Sequence, residues 1–217
     1  MHTTSVPDHI NAWEKDYQKR GALWRGTTGA TPILAPGQRV LELGCGNGKT
    51  AVLLSVQPGL ELYAMDASPT AVTMCQQRIT QAGGKATLAV ADGTALPYPN
   101  EFFDTIIAFH YLAHMPQLER NKAAQEILRV LRPTGRIYFK EFGIGDFRCG
   151  KGTEVEPHTY RRHTGILTHY FSETELLTLF AGTQIEKLEF ERWRVKLRGT
   201  IYPREMIHAV FTKEQRA

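Results

Sequence analysis

The sequence predicts an α/β protein: a doubly wound, mostly parallel seven-stranded sheet with an antiparallel hairpin at its C-terminal edge. Five short apolar runs alternate with helix-length segments between residues 39 and 143, the pattern of parallel strands joined by right-handed crossovers. Two further extended runs follow with a connection too short for a crossover helix, so they pair antiparallel. Gly44, Asp66, Asp92 and His110 fall at strand ends, where such sheets place their ligands.

In chain order, the polar and aromatic N-terminal stretch spaces Trp13, Tyr17 and Trp24 along one helix face. RVLELG (39–44) runs straight into glycines, as a buried parallel strand does. TAVLLSV (50–56) is a helix stopped by Pro58-Gly59, and LELYAMD (60–66) is a strand ending in an acid. SPTAVTMCQQRITQAG (68–83) has a Ser N-cap, Pro at the first helical position and a terminal Gly, which mark both ends of a helix. ATLAVAD (86–92) and DTIIAFH (104–110) are the third and fourth strands. An amphipathic helix from residue 117 ends before Pro133, and GRIYFKEFG (135–143) is the fifth strand. Residues from about 143 to 168 read as a loop, SETELLTLFAG (172–182) as a capped helix, and 185–196 and 205–213 as the final strands. Residues 1–38 are expected to form a helical lid segment and 39–217 the main domain.

The length of 217 residues suits one α/β domain. Hydrophobic content of 42% and charged content of 22% are those of a soluble globular protein. No apolar run approaches the roughly 20 residues that span a bilayer, and the N-terminus has no apolar core of a secretory signal. Three cysteines without a C-x-x-C pair fit a reducing, cytoplasmic setting. A net charge of +4 permits an anionic partner without requiring one.

The stretch LGCGNGKT (43–50) ends like a phosphate-cradling loop, yet Leu43 stands where that loop needs its first glycine. The dinucleotide fingerprint fails too, because the third glycine falls at 48. What remains is a glycine turn that permits close backbone approach, with Asp66 placed for two ribose hydroxyls and Asp92 for an adenine amino group. Ribose and adenine without a phosphate cradle point to S-adenosylmethionine. The competing account is that both acids only cap the helices that follow.

VLELGCGNG (40–48), YAMDAS (63–68), AVADGTALP (89–97) and ILRVLRPTGRIYF (127–139) resemble the class I S-adenosylmethionine-dependent methyltransferases. The resemblance implies that Glu42, Gly44 and Gly46, with Cys45, shape the methionine end. It places ribose at Asp66 and Ala67, adenine at Asp92 and Gly93, and Phe109 or His110 beside the methyl donor. Tyr17, Trp24 and Arg25 could form a lid, with Arg25 facing the cofactor carboxylate; packing is the alternative for the tryptophans.

FKEFGIGDF (139–147), YRRHTGILTHYF (160–171) and ERWRVKLRG (191–199) are similar to the C-terminal half of the tRNA 3-methylcytidine methyltransferases. On that likeness Asp146 and Arg162 contact substrate. Glu141, at the mouth of the fifth strand, is the acid/base candidate unless it pairs with Arg162 or Lys140. The family's arginine before the aromatic pair is Leu167 here, and its longer N-terminal region is mostly missing. Arg192, Arg194, Lys196 and Arg198 alternate, so a strand would present all four on one face, suited either to a phosphate backbone or to water. Trp193, Val195 and Leu197 would then face the helix layer. His110 and His114 have the i, i+4 spacing of zinc ligands, but no acid lies between them and no cysteine completes a set, so no metal is expected. Three functions stay open: methyl transfer to a tRNA-like RNA base, methyl transfer to a small metabolite or protein side chain, and a non-catalytic cofactor-binding subunit of a partner protein.

Overall fold

The computed structural model describes residues 8–21 and 31–215. Its main sheet has the order β3-β2-β1-β4-β5-β10-β9. The strands are β1 (Arg39–Leu43), β2 (Glu61–Asp66), β3 (Thr87–Val90), β4 (Phe103–Phe109), β5 (Leu131–Phe142), β9 (Thr183–Leu197) and β10 (Thr200–Lys213). The first five are parallel, and β10 runs antiparallel to both β5 and β9. The reversed C-terminal hairpin expected from the sequence is therefore present, but it enters the sheet through β10 and leaves β9 at the edge.

Among the described residues five α-helices complete the frame: α1 (Asp8–Arg20), α2 (Ala51–Ser55), α3 (Pro69–Gln81), α4 (Gln117–Val130) and α5 (Glu173–Leu179). Local chemistry sets their limits. Ser68 Oγ accepts the Ala71 N–H and Ser172 Oγ accepts the Glu175 N–H, so α3 and α5 begin on side-chain caps. At the end of α4, Leu131 turns extended, two residues ahead of the proline that could not have continued the helix.

The larger core lies where Leu41, Leu43, Ile106, Phe139, Ile207 and Phe211 meet Ile127 of α4 and Leu176 of α5. Two smaller clusters, around Leu54 and around Cys75, fill the α2–α3 side.

The expected loop from 143 to 168 is not wholly a loop. It holds a separate antiparallel sheet of β6 (Thr153–Glu156), β7 (Thr159–Arg161) and β8 (Leu167–His169). Strands of three or four residues are too short to show a period of two in sequence. A buried polar chain ties this sheet down. Thr159 Oγ1 meets His169 Nδ1 at 2.8 Å, His169 Nε2 meets Glu175 at 2.7 Å, and Arg120 reaches Glu175 at 3.2 Å. Among the described residues no helix is long and apolar enough to cross a membrane.

Candidate active site

The glycine turn leaves β1 with Gly44, Gly46 and Gly48 all at positive φ (66°, 52° and 82°). Such backbone excludes most side chains, and here it is also crowded. A Cβ on Gly44 would stand 2.6 Å from the Tyr111 ring, and one on Gly46 would stand 2.6 Å from the Tyr17 hydroxyl. Tyr17 of α1 thus reaches the turn. Glu14, one helical turn earlier, accepts from Ser68 Oγ at 2.5 Å and Thr70 Oγ1 at 2.6 Å. The helix is pinned across the start of α3 by a residue that sequence reasoning passed over. Trp13 and Tyr17 do lie together, with ring centroids 5.8 Å apart, whereas Trp24 and Arg25 lie outside the described residues.

Asp66 joins the turn to the next strand. One carboxylate oxygen accepts the Gly46 N–H at 2.9 Å and the other the Ser68 N–H at 2.9 Å. Burial raises its pKa, and the N–H bonds from Ser68, Gly46 and Ala67 oppose that rise. Asp92 accepts the Thr94 N–H at 2.9 Å, a local turn bond with Gly93 between the two residues. Neither acid caps a helix, since Ser68 is the N-cap of α3 and a turn, not a helix, follows Asp92; both make local turn bonds, and Asp66 makes a long-range one besides.

Beneath the turn, Glu42 is buried, with one oxygen unpartnered among the described residues, and burial pushes its pKa well up. Asn47 beside it also has its side-chain amide buried without a partner among the described residues. Orphaned polar atoms under a glycine turn fit the polar end of a ligand. Cys45 differs from expectation: its side chain packs with Ala51, Ala64, Cys75 and Ile79 against α3, leaving only its backbone at the turn. Phe109 likewise packs at the edge of the Leu54 cluster, with Lys140 Nζ 4.7 Å above its ring.

At the ends of β4 and β5, His110 takes φ +53° while its N–H donates to Lys140 O at 2.8 Å. That conformation is costly for a side-chain-bearing residue. His110 Nδ1 stands 3.5 Å from Glu141 Oε2. Glu141 is fully buried, and its other oxygen accepts the Ala113 N–H at 3.1 Å. Neither Arg162 nor Lys140 is its partner, because Arg162 bonds the Tyr170 hydroxyl and Lys140 lies over Phe109. His114 goes elsewhere, its Nδ1 2.8 Å from Leu167 O and its ring against Trp13.

The remaining expected residues are dispersed. Asp146 is buried between Arg148 and Arg204, at 2.8 and 2.6 Å, so its carboxylate is taken up by the two arginines. The row on β9 is shorter than the sequence suggested. Arg192 pairs with Glu205 at 2.7 Å, and Arg198 sits in the turn at φ +49° beside Gly199 at +85°, leaving Arg194 and Lys196 on the strand. Register also reverses the expected faces. Arg192 lies opposite Glu205, and Phe190 opposite the core residue Ile207, so the row shares the α5 side, with Trp193 on the other.

Residues 40–135 match the profile of a methyltransferase domain. Over 161 residues the chain is 27% identical to the tRNA N(3)-cytidine methyltransferase METTL2 of Gallus gallus, covering 70% of this chain and 44% of that protein. Over 137 residues it is 33% identical to the 27-O-demethylrifamycin SV methyltransferase of Amycolatopsis mediterranei, covering 59% and 47%. The chain thus spans less than half the length of these relatives. A solved S-adenosylmethionine-dependent methyltransferase from Methanosarcina mazei superposes with a TM-score of 0.70 at 22% identity, covering 87% of this chain and all of that one. The parallel sheet, the positive-φ glycine turn and the acid at the end of β2 accompany the matched methyltransferase-domain profile over residues 40–135, and the fold is that of the Methanosarcina mazei structure.

Proposed function

We propose that this chain transfers a methyl group from S-adenosylmethionine to a base nitrogen of a tRNA-like RNA. The observation that carries the enzymatic part is the meeting, at the carboxyl ends of the interior strands β2, β1, β4 and β5, of the glycine turn, Asp66 and the His110–Glu141 pair. The cofactor, when bound, supplies a methyl already activated on a sulfonium, so the chain need only bind, align and desolvate. Glu42 and the backbone of Gly44, Cys45 and Gly46 hold the methionine end. Asp66 and Ala67 take the ribose, and Asp92 and Gly93 the adenine. The segment 1–38 acts as a lid over the domain 39–217, and Tyr17 covers the turn. Glu141, too buried to meet an acceptor, orients His110, whose half-exposed imidazole accepts a proton from the acceptor where one must leave. Arg162, at the β7–β8 sheet, contacts the acceptor side.

The RNA acceptor is supported by the 70% of this chain that aligns with a tRNA methyltransferase. A small-molecule acceptor is the second reading, favoured by the higher identity to a methyltransferase named for 27-O-demethylrifamycin SV. Incubation with radiolabelled S-adenosylmethionine and cell extract, followed by separation of RNA, protein and small molecules, tests both. Label is expected in tRNA-sized RNA. Label confined to small molecules selects the second reading, and no label despite cofactor binding removes both.

A further inference from the structure

The proposed site continues outward into a surface that the β9 arginine row does not explain. His110 lies against Phe142, with ring centroids 5.0 Å apart. Arg148 stacks over the same Phe142 ring at 3.9 Å, and Arg204 lies at 4.9 Å from it. Arg204 also stands 5.1 Å over Trp193, and Lys151 lies over Phe147 at 4.8 Å and Tyr202 at 5.1 Å. Phe147 and Tyr202 are themselves 4.7 Å apart. These rings are half-buried, with part of each open to solvent.

One buried carboxylate organises the array. Asp146 accepts Arg148 Nε at 2.8 Å and Arg204 Nε at 2.6 Å, which fixes both guanidiniums over the aromatic faces. Around Asp146 stand three cations, Arg148, Arg204 and Lys151, while the further acids of this surface, Glu141 and Glu191, stand beside His110 and His208. Ordered cations alternating with aromatic rings match a polyanion whose bases stack. A duplex hides its base faces, whereas an unpaired strand exposes them.

We infer that the aromatic–cation surface running from His110 to Trp193 and Tyr202 binds a single-stranded stretch of RNA and leads it to the active site. This rests on the RNA reading above and replaces the Arg194–Arg198 row as the main contact. Phosphates meet Arg148, Arg204 and Lys151, while bases stack on Trp193 and Tyr202.

The test is retention of a labelled single-stranded RNA of about 12 nucleotides, within the span of known single-strand sites, against the same sequence as a duplex. Each protein is also titrated with S-adenosylhomocysteine by calorimetry. Single-strand preference is expected, with Trp193→Ala and Tyr202→Ala each weakening retention about tenfold while cofactor-product affinity holds. Lys151→Glu, at an exposed position, weakens retention and flattens its salt dependence. Duplex binding as tight as single-strand binding overturns the inference, as does full retention in Lys151→Glu and Tyr202→Ala. Loss on Arg194→Ala with retention intact in those two overturns it as well. A wild-type protein that binds RNA but no S-adenosylhomocysteine overturns the methyltransferase reading and leaves this surface standing.

Discussion

His110 spends backbone energy to be where it is. A left-handed φ costs a residue with a side chain roughly 1 kcal/mol, and it aims the ring at Glu141 and Phe142. Strain of this kind at a strand end beside a buried carboxylate is a reason to look for function. Glu141→Gln removes the charge behind Nδ1 while preserving size and an acceptor for the Ala113 N–H. If His110 takes a proton from the acceptor, Glu141→Gln and His110→Gln should each lower the rate of methyl transfer by about 10²-fold or more. Affinity for S-adenosylhomocysteine should stay within about twofold, since neither residue is assigned to hold it. Single-turnover kinetics beside calorimetry check this, and a full rate in either variant removes the dyad from the chemistry.

At the scale of elements, the three-stranded insert is fastened by histidines that resist protonation. Burial lowers the pKa of His114, which neighbouring Glu141 and the Leu167 carbonyl only partly offset. The same cause lowers that of His169, against the opposing pull of Glu175. A base with a depressed folded pKa binds fewer protons folded than unfolded, so its stabilisation is complete above the unfolded pKa and is lost as pH falls below it. The melting temperature should therefore drop as pH decreases from about 6.5, the unfolded histidine value. Circular dichroism melts between pH 7.5 and 5 measure the drop. His169→Asn should shrink it, and a flat profile would show that burial here costs the charged form little. The fastening also shows why the insert was hidden. Its strands are set by Thr159, His169, Glu175 and Arg120, which come from four separate elements.

For the whole molecule, a ligand bound only by the folded state stabilises it by about 2.7 kcal/mol at one hundred times its Kd. In a chain of this size that raises the melting temperature by roughly 5–10 °C. S-adenosylhomocysteine is expected to produce such a shift, and Asp66→Ala to abolish it. A shift that survives in Asp66→Ala would move the ribose site away from the end of β2.

The sequence by itself determined the alternation of strands and helices, the caps at Ser68 and Ser172, the glycine turn and the C-terminal hairpin. Those features depend on hydrophobic period, backbone freedom and local hydrogen bonding, all written in neighbouring residues. Only the tertiary structure decided that Cys45 faces α3, that Asp146 anchors arginines, that Glu141 sits behind His110, and which side of β9 carries its cations. Each of those depends on partners from distant segments. Arg204 lies 58 residues from the Asp146 it binds, and Ala113 lies 28 from Glu141. The face of an edge strand is likewise fixed by its register with β10, since a slip of one residue inverts every side chain.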